Sequence, residues 1–148
     1  MKVMKTKILF IVALMLGLTS FAAEPNEKIL KNFSHTFPKA EGIVWYESET
    51  EYAVYFTNDG IKCRVWYDAE GSVKKSIRYY GEEKLPPMII ASLQKKFPGT
   101  KVFGITEYST PEEFTYQVTL EDEKKWYTVH ADATGGSKLI NKMNKSEK

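Results

Sequence analysis

Two stretches of the chain place large apolar residues at helical spacing. The two trios are Ile29, Phe33 and Phe37 and, 60 residues later, Ile89, Leu93 and Phe97. Residues four apart lie on one face of a helix, so each trio predicts an amphipathic helix. Both stretches end at Phe-Pro, and the residue before a proline avoids the helical backbone conformation. Asn26 is the expected N-cap of the first helix, and Pro86 and Pro87 are expected to open the second.

The residues after each helix alternate between apolar and polar, which is typical of strands. The predicted strands are Ile43–Glu47, Tyr52–Asn58, Ile61–Tyr67 and Ser72–Tyr80, then Val102–Tyr108, Phe114–Glu121, Lys125–Ala131 and Ser137–Met143. Turn signals separate them, including Asn58-Asp59-Gly60 and the sequence from Asp68 to Gly71. We therefore predict an α+β fold that is a tandem duplication of one unit, a helix followed by a four-stranded antiparallel sheet.

Residues 23–84 form the first predicted unit and residues 85–148 the second. A unit of about 60 residues is marginally stable alone, so we expect the two to share a sheet or a core as one compact domain over 23–148.

Alternation along the strands also predicts which side chains face the helices. The expected strand core is Tyr52, Val54, Phe56, Ile61, Cys63, Val65, Tyr67, Val73, Ile77 and Tyr79 in the first half, with Phe114, Tyr116, Val118, Leu120, Tyr127, Val129 and Ala131 in the second. Helices on one side leave the other side of the sheet open. On that open side we expect an aromatic and basic set: Tyr55, Arg64, Trp66, Arg78, Tyr80, Trp126 and His130.

This aromatic and basic set has three interpretations. Tyr, Trp and Arg are the residue types that anchor protein interfaces. Pairs of aromatic and cationic residues across strands also stabilise a sheet face that only meets water. In a third interpretation the helices cover less of the sheet, and these aromatics belong partly to the core.

The first residues of the chain have the pattern of an export signal. Lys2, Lys5 and Lys7 precede the apolar run Ile8–Leu18, and small residues follow it. An apolar run this short indicates a cleaved signal peptide, residues 1–22, rather than a membrane anchor. Cleavage after Ala22 or Ala23 would deliver a periplasmic or secreted protein with no membrane span.

Charge and composition exclude several function classes. Without residues 1–22 the formal net charge changes from +2 to −1, because three lysines and no acids are lost. Such a balance gives no support to nucleic-acid binding. The aromatic content of 14% is too high for a disordered chain.

No familiar catalytic or metal-binding arrangement is present in the sequence. His35 and His130 lie in different predicted elements, and the lone Cys63 excludes a multi-cysteine zinc site and an intrachain disulfide. Lys62 and Arg64 could activate the Cys63 thiol, but strand alternation places it in the core as an inert side chain. We therefore expect no enzyme activity, no cofactor and no metal.

Together these motifs resemble the PepSY-like exported proteins of Bacteroidetes-type bacteria, which are related in fold to the secreted beta-lactamase inhibitor protein. The resemblance rests on the export signal, Phe37-Pro38 with Trp45-Tyr46, Phe97-Pro98, and the turns Asp68–Gly71 and Asp132–Gly135. It implies helices on one face of a curved sheet whose concave side binds a protein, and no catalysis. One departure matters: the inhibitor fold carries disulfides, and this chain has one cysteine.

The sequence therefore predicts an exported, non-enzymatic binding module that engages a protein or peptide of the cell envelope, with inhibition of that partner as one form. The alternative is a small-ligand or ion-binding envelope protein that uses the cleft between the two units.

Overall fold

The computed structural model describes residues 24–146; the predicted signal peptide and its cleavage site lie outside the described residues. This range forms the helices α1 (Glu27–Thr36) and α2 (Pro87–Lys96), a 3-10 helix over Glu82–Lys84, and eight strands. The strands are β1 (Glu41–Glu47), β2 (Tyr52–Asn58), β3 (Ile61–Tyr67), β4 (Val73–Tyr80), β5 (Lys101–Ser109), β6 (Phe114–Glu121), β7 (Lys125–Asp132) and β8 (Ser137–Asn144). Each predicted strand is present, with ends within two residues of those expected.

All eight strands belong to one antiparallel sheet in the order β1-β2-β3-β4-β5-β6-β7-β8. Every strand therefore pairs with its neighbour in the chain, and β1 and β8 are the edge strands. The fold is α+β, as predicted. That the two halves are copies of one duplicated unit stays a prediction.

The helices begin and end where local chemistry requires. The side chain of Asn26 accepts a hydrogen bond from the backbone N–H of Ile29 at 3.0 Å, which caps α1. Pro87 occupies the first turn of α2, where a missing N–H costs no hydrogen bond. At the other ends, the N–H groups of Phe37 and Phe97 each bond a carbonyl one turn back, at 2.8 Å.

Each helix is also tied to a turn of the sheet. The side-chain amide of Asn32 donates to the carbonyl of Gly71 at 3.0 Å, and the hydroxyl of Ser92 donates to the carbonyl of Gly135 at 2.6 Å. Gly71 has a φ of +83°, and a Cβ there would lie 3.0 Å from the Asn32 amide nitrogen. Glycine is therefore required at this turn both for its backbone conformation and for the approach of α1.

Two hydrophobic clusters lie between the helices and the sheet. Ile29 and Phe33 of α1 pack on β2 and β3, and Ile89 and Leu93 of α2 pack on β5, β6 and β7. The sheet residues of the clusters are Val54, Phe56, Cys63, Val65 and Tyr67 under α1, and Ile105, Tyr116, Val118, Leu120, Val129 and Ala131 under α2. Most of the predicted core is confirmed.

A β-bulge in β4 corrects part of the predicted face assignment. Trp66 pairs with Lys75 and Tyr67 pairs with Val73, so Lys74 is an extra residue. Since side chains alternate along a strand, one extra residue exchanges the two faces beyond it. Ile77 and Tyr79, predicted as core, consequently lie on the side away from the helices.

Arg78 and Tyr80 are moved by the same bulge in the opposite direction. Arg78 pairs with Cys63, a member of the α1 cluster, and Tyr80 pairs with Ile105, a member of the α2 cluster. Both were predicted on the open side, and both lie on the helix side.

Two other predicted core residues are more exposed than expected. Val73 and Phe114 share the helix side with their neighbours but are 46% and 37% exposed. Each is the first residue of its strand, outside the two hydrophobic clusters.

No helix within residues 24–146 combines the length and the apolar composition that crossing a membrane requires.

Candidate functional site

The side of the sheet that faces away from both helices, here called the open face, is the candidate functional site. Paired residues on neighbouring strands share a side, so the register of the strands identifies its members. Tyr55 pairs with Arg64, Trp66 with Lys75, Gln117 with His130 and Glu121 with Trp126. Five of the seven predicted residues lie on this side: Tyr55, Arg64, Trp66, Trp126 and His130.

A row of aromatic and cationic side chains crosses the first four strands of the open face. Tyr46 and Tyr55 meet edge to face with ring centroids 5.1 Å apart. The guanidinium carbon of Arg64 lies 4.2 Å from the Tyr55 ring centroid and 4.3 Å from that of Trp66. Lys75 Nζ lies 4.6 Å from the Trp66 ring. We call these five residues the aromatic–cation ladder. Each aromatic or cation–π contact of this kind stabilises the folded state by about 0.5–2 kcal/mol.

Trp66 lies inside the ladder rather than on top of it. Its side chain faces away from the helices but is only 7% exposed, because Arg64 and Lys75 lie against its ring. Trp66 therefore lies on the predicted side of the sheet but offers little surface to a partner. Its position corresponds to the third interpretation of the sequence, an aromatic that is largely packed, although its packing partners are not the helices. Trp66 supports the residues that are exposed.

Arg64 differs from the other cations of this region in its partners. Lys75 Nζ is 3.2 Å from a carboxylate oxygen of Glu51. Among residues 24–146 no carboxylate pairs with Arg64, and its Nε is buried with no hydrogen-bond partner. The guanidinium is instead held between two aromatic rings. Such a cation is oriented in advance and is still available for a carboxylate of another molecule.

Two exposed tyrosines extend the open face across the middle of the sheet. Tyr79 on β4 is 46% exposed, and Tyr108 on β5 is 39% exposed. Tyr108 pairs with Ile77, which pairs with Arg64, so these residues continue the ladder toward the second half. Sequence reasoning placed Tyr79 in the core and did not select Tyr108. A β-bulge leaves no clear mark in the alternation, which is why the sequence places Tyr79 on the wrong side.

A second aromatic group lies on the second half of the open face, between β5 and β7. Phe103 and Trp126 meet edge to face at 4.8 Å, and Lys145 Nζ lies 4.5 Å from the Trp126 ring. Phe103 is 64% exposed because it falls in the bulge between Val102 and Gly104. Lys145 also pairs with Glu121 at 2.5 Å. His130 is exposed on the neighbouring part of β7.

Arg78 and Tyr80, the two predicted residues on the helix side, form a polar cluster at the junction of β4 and β5. Arg78 donates two hydrogen bonds to the carboxylate of Glu107, at 2.6 and 2.8 Å, and the Tyr80 hydroxyl donates a third. Glu107 is only 3% exposed. We call these three residues the seam cluster, because they join the fourth and fifth strands of the sheet.

The contacts of the seam cluster shift the pKa values of Tyr80 and Arg78. Burial and the hydrogen bond to Glu107 raise the pKa of the Tyr80 hydroxyl above its usual value. The same carboxylate raises the pKa of Arg78. Arg78 therefore stays charged and Tyr80 stays a neutral phenol at neutral pH, and both donate hydrogen bonds to Glu107. Since Arg78 and Tyr80 lie on the opposite side from Arg64, one partner on the open face cannot contact all seven predicted residues.

The remaining chemically reactive groups are separate from each other. Cys63 is buried, as predicted, and burial is the main cause that raises the pKa of its thiol. His35 lies on α1 and His130 on β7. Within the described part of the chain, no three His, Cys, Asp or Glu side chains come together as metal ligands do.

Comparison with known proteins identifies the fold and no family. No family model matches the chain, and no curated protein matches it significantly. A BLIP-like protein from Bacteroides fragilis, BLIP being the beta-lactamase inhibitor protein, is similar in structure with a TM-score of 0.62 and 20% identity. The similarity covers 82% of this chain and 87% of that one.

Two further solved structures show the same likeness. A DUF2874 family protein from Bacteroides uniformis has a TM-score of 0.59 and 18% identity, over 82% of this chain and 90% of its own. A protein from Bacteroides eggerthii, described provisionally as periplasmic, has a TM-score of 0.60 and 16% identity, with the same coverage. The chain therefore has a BLIP-like fold, as the sequence resemblance implied.

Proposed function

We propose that the protein is an exported, non-enzymatic binding module that engages a protein or peptide of the cell envelope through its open face. The observation that carries the proposal is the aromatic–cation ladder. Arg64 is held between two rings and no carboxylate of the described residues pairs with it, so its guanidinium remains available to another molecule.

The exposed residues define the chemistry of the partner. Tyr55, Tyr79 and Tyr108 offer aromatic area with a polar hydroxyl, a combination enriched in protein interfaces. Arg64 would bind a carboxylate, from an acidic side chain or a chain terminus. A partner that places a carboxylate beside a small apolar group would satisfy both. Trp126 and His130 are proposed as a second contact region at the far end of the same face.

Two further observations support export and binding. Residues 1–22 have the composition of a signal peptide, and one structural neighbour is described provisionally as periplasmic. A BLIP-like fold is compatible with binding through a sheet face. PepSY-like membership and an inhibitory effect on the partner are parts of this proposal that rest on the sequence resemblance alone.

Cross-linking in the native cell envelope, followed by mass spectrometry, tests the proposal. We expect the wild-type protein to capture a defined protein or peptide, and the double variant Tyr55→Ala, Arg64→Ala to lose at least about tenfold of that capture. A matched control changes an exposed apolar and basic pair on the helix side, Leu30→Ala with Lys31→Ala, and should capture normally. Equal capture by the two double variants would show that the open face is not the binding surface.

The alternative, a small ligand or ion between the two halves, stays a prediction. On the helix side this region is occupied by the seam cluster, whose polar groups already bond to one another. No observation favours a ligand there, so the open face carries the proposal.

A further inference from the structure

The two edge strands of the sheet have opposite charge. β1 carries Glu41 and Glu47 and no basic residue, whereas β8 carries Lys138 and Lys142 and no acid. All four side chains are exposed. An edge strand presents unpaired backbone N–H and C=O groups, and only a strand of suitable sequence pairs with it.

The seam cluster shows how two such strands join within the molecule. β4 and β5 pair antiparallel, with Arg78 directly opposite Glu107. The bond between them is a salt bridge at 2.6 Å on the helix side of the sheet. A basic residue near the end of the fourth strand thus meets an acidic residue near the end of the fifth.

The free edges repeat both halves of this junction. On β1, Glu47 pairs with Tyr52, just as Glu107 on β5 pairs with Tyr116. Glu47 also accepts a hydrogen bond from the Tyr52 hydroxyl at 2.9 Å. Glu47 precedes Glu107 by 60 residues, the same separation as between the helix trios.

The matching basic residue is on β8. Lys142 on β8 pairs with Tyr127, just as Arg78 on β4 pairs with Cys63. Lys142 follows Arg78 by 64 residues, and Tyr127 follows Cys63 by the same 64. Lys142 Nζ lies 5.1 Å from the Tyr127 ring, which is packed on the α2 cluster, so Lys142 is on the helix side. Glu47 on the free edge β1 therefore occupies the position that Glu107 occupies on β5. Lys142 on the free edge β8 occupies the position that Arg78 occupies on β4.

The last strand of each half lies outside the buried core of the two hydrophobic clusters. The α1 cluster takes its strand residues from β2 and β3, and the α2 cluster takes them from β5, β6 and β7. β4 and β8 contribute to neither cluster's buried core. Because β1 and β8 run in opposite directions, a second copy added beside β8 would pair antiparallel and keep its helices on the same side of the sheet.

From this we infer that a second copy of the chain adds to the sheet edge, with β8 of one copy paired antiparallel to β1 of the next and Lys142 bonded to Glu47 as Arg78 is bonded to Glu107. The contact is heterologous, since it joins different surfaces of the two copies. It therefore generates rings or open rows of molecules, along which the open face becomes one continuous surface. The inference does not depend on the proposed function of that face.

Sedimentation analysis of the purified protein over a wide concentration range tests the inference, with charge reversal at each edge. We expect mass above that of one chain at high concentration. Glu47→Lys and Lys142→Glu should each weaken association at least about tenfold, because like charges then meet. The double variant Glu47→Lys, Lys142→Glu should restore it. Lys62→Glu, on the open face, is the matched control and should associate like the wild type.

A disulfide test checks the register independently of charge. A mixture of a Glu47→Cys chain with a Lys142→Cys chain should form a cross-linked pair on mild oxidation, and neither chain should do so alone, since Cys63 is buried. A wild-type protein that remains a monomer at every concentration would overturn the inference and make the lysines of β8 a protection against edge pairing. Association that is insensitive to both charge reversals would overturn it equally.

Discussion

Arg78 on β4 and Glu107 on β5 form a bidentate salt bridge at 2.6 and 2.8 Å, and this pair lies where the first half of the chain joins the second. Glu107 is almost completely buried, whereas the Arg78 side chain is 44% exposed. The buried carboxylate therefore depends on the guanidinium as its charge partner, whereas the guanidinium is still in contact with water.

Removal of Arg78 alone should destabilise the protein. Arg78→Met leaves a buried carboxylate with only the Tyr80 hydroxyl, and we expect the free energy of unfolding in urea to fall by about 2 kcal/mol. This is less than the roughly 3–5 kcal/mol of a fully buried pair, because water reaches the guanidinium site. Adding Glu107→Leu should bring stability back to within about 1 kcal/mol of wild type. A double variant no more stable than Arg78→Met would contradict this account of the seam.

Two tyrosines on the helix side, the buried Tyr67 and the partly buried Tyr80, should respond in opposite ways to loss of the hydroxyl. The Tyr67 hydroxyl is buried with no partner among the described residues, so Tyr67→Phe should raise the free energy of unfolding by about 1 kcal/mol. The Tyr80 hydroxyl donates to Glu107, so Tyr80→Phe should lower it by about 1–2 kcal/mol. Chemical denaturation of both variants measures the difference, and the same sign in both would be inconsistent with the structure.

Stability should also fall at alkaline pH. Burial raises the pKa of Tyr67 from 10.0 to about 12. The folded state thus holds the Tyr67 hydroxyl proton more tightly than the unfolded state. The stability that this difference contributes is complete below pH 10 and is lost as pH rises through 12. Urea denaturation at a series of pH values should show a smaller decline over this interval for Tyr67→Phe than for the wild type. Equal declines would mean that Tyr67 does not titrate as proposed.

Two glycines separate backbone strain from helix packing. Gly60 and Gly71 both have positive φ, at +78° and +83°. Alanine at either position is strained by about 1 kcal/mol, but only at Gly71 does the new Cβ meet another element, the Asn32 amide of α1. Gly71→Ala should therefore cost measurably more unfolding free energy than Gly60→Ala. Equal costs would show that the approach of α1 to this turn is not tight.

The sequence predicted the elements well because their signals are local. The trio Ile29, Phe33 and Phe37 and the turn at Asn58–Gly60 each depend on residues close together in the chain, and both appear as expected. The burial of Val54 and Val118 followed from simple alternation. These features need no knowledge of which strands pair.

The errors in the site come from one event that is not local. The extra residue Lys74 is defined only by the pairing of β4 with β3, and alternation read along β4 alone does not show it. This single bulge moves Tyr79 to the open face and Arg78 and Tyr80 to the seam. The burial of Trp66, which the third interpretation of the sequence left open, depends on Arg64 and on Lys75 of the next strand, which both lie against its ring.

Adjacent tyrosines offer a direct test of this exchange of faces. Tyr79 lies exposed on the open face, and Tyr80 packs against the α2 cluster beside Ile105. In the folded protein, a thiol reagent should therefore modify Tyr79→Cys far faster than Tyr80→Cys, while wild-type Cys63 reacts slowly because it is buried with a raised thiol pKa. Equal rates in denaturant would show that both new thiols are intrinsically competent. If Tyr80→Cys were the faster of the two in the folded state, the bulge at Lys74 would be absent and the sequence-based assignment of Arg78 and Tyr80 to the open face would return.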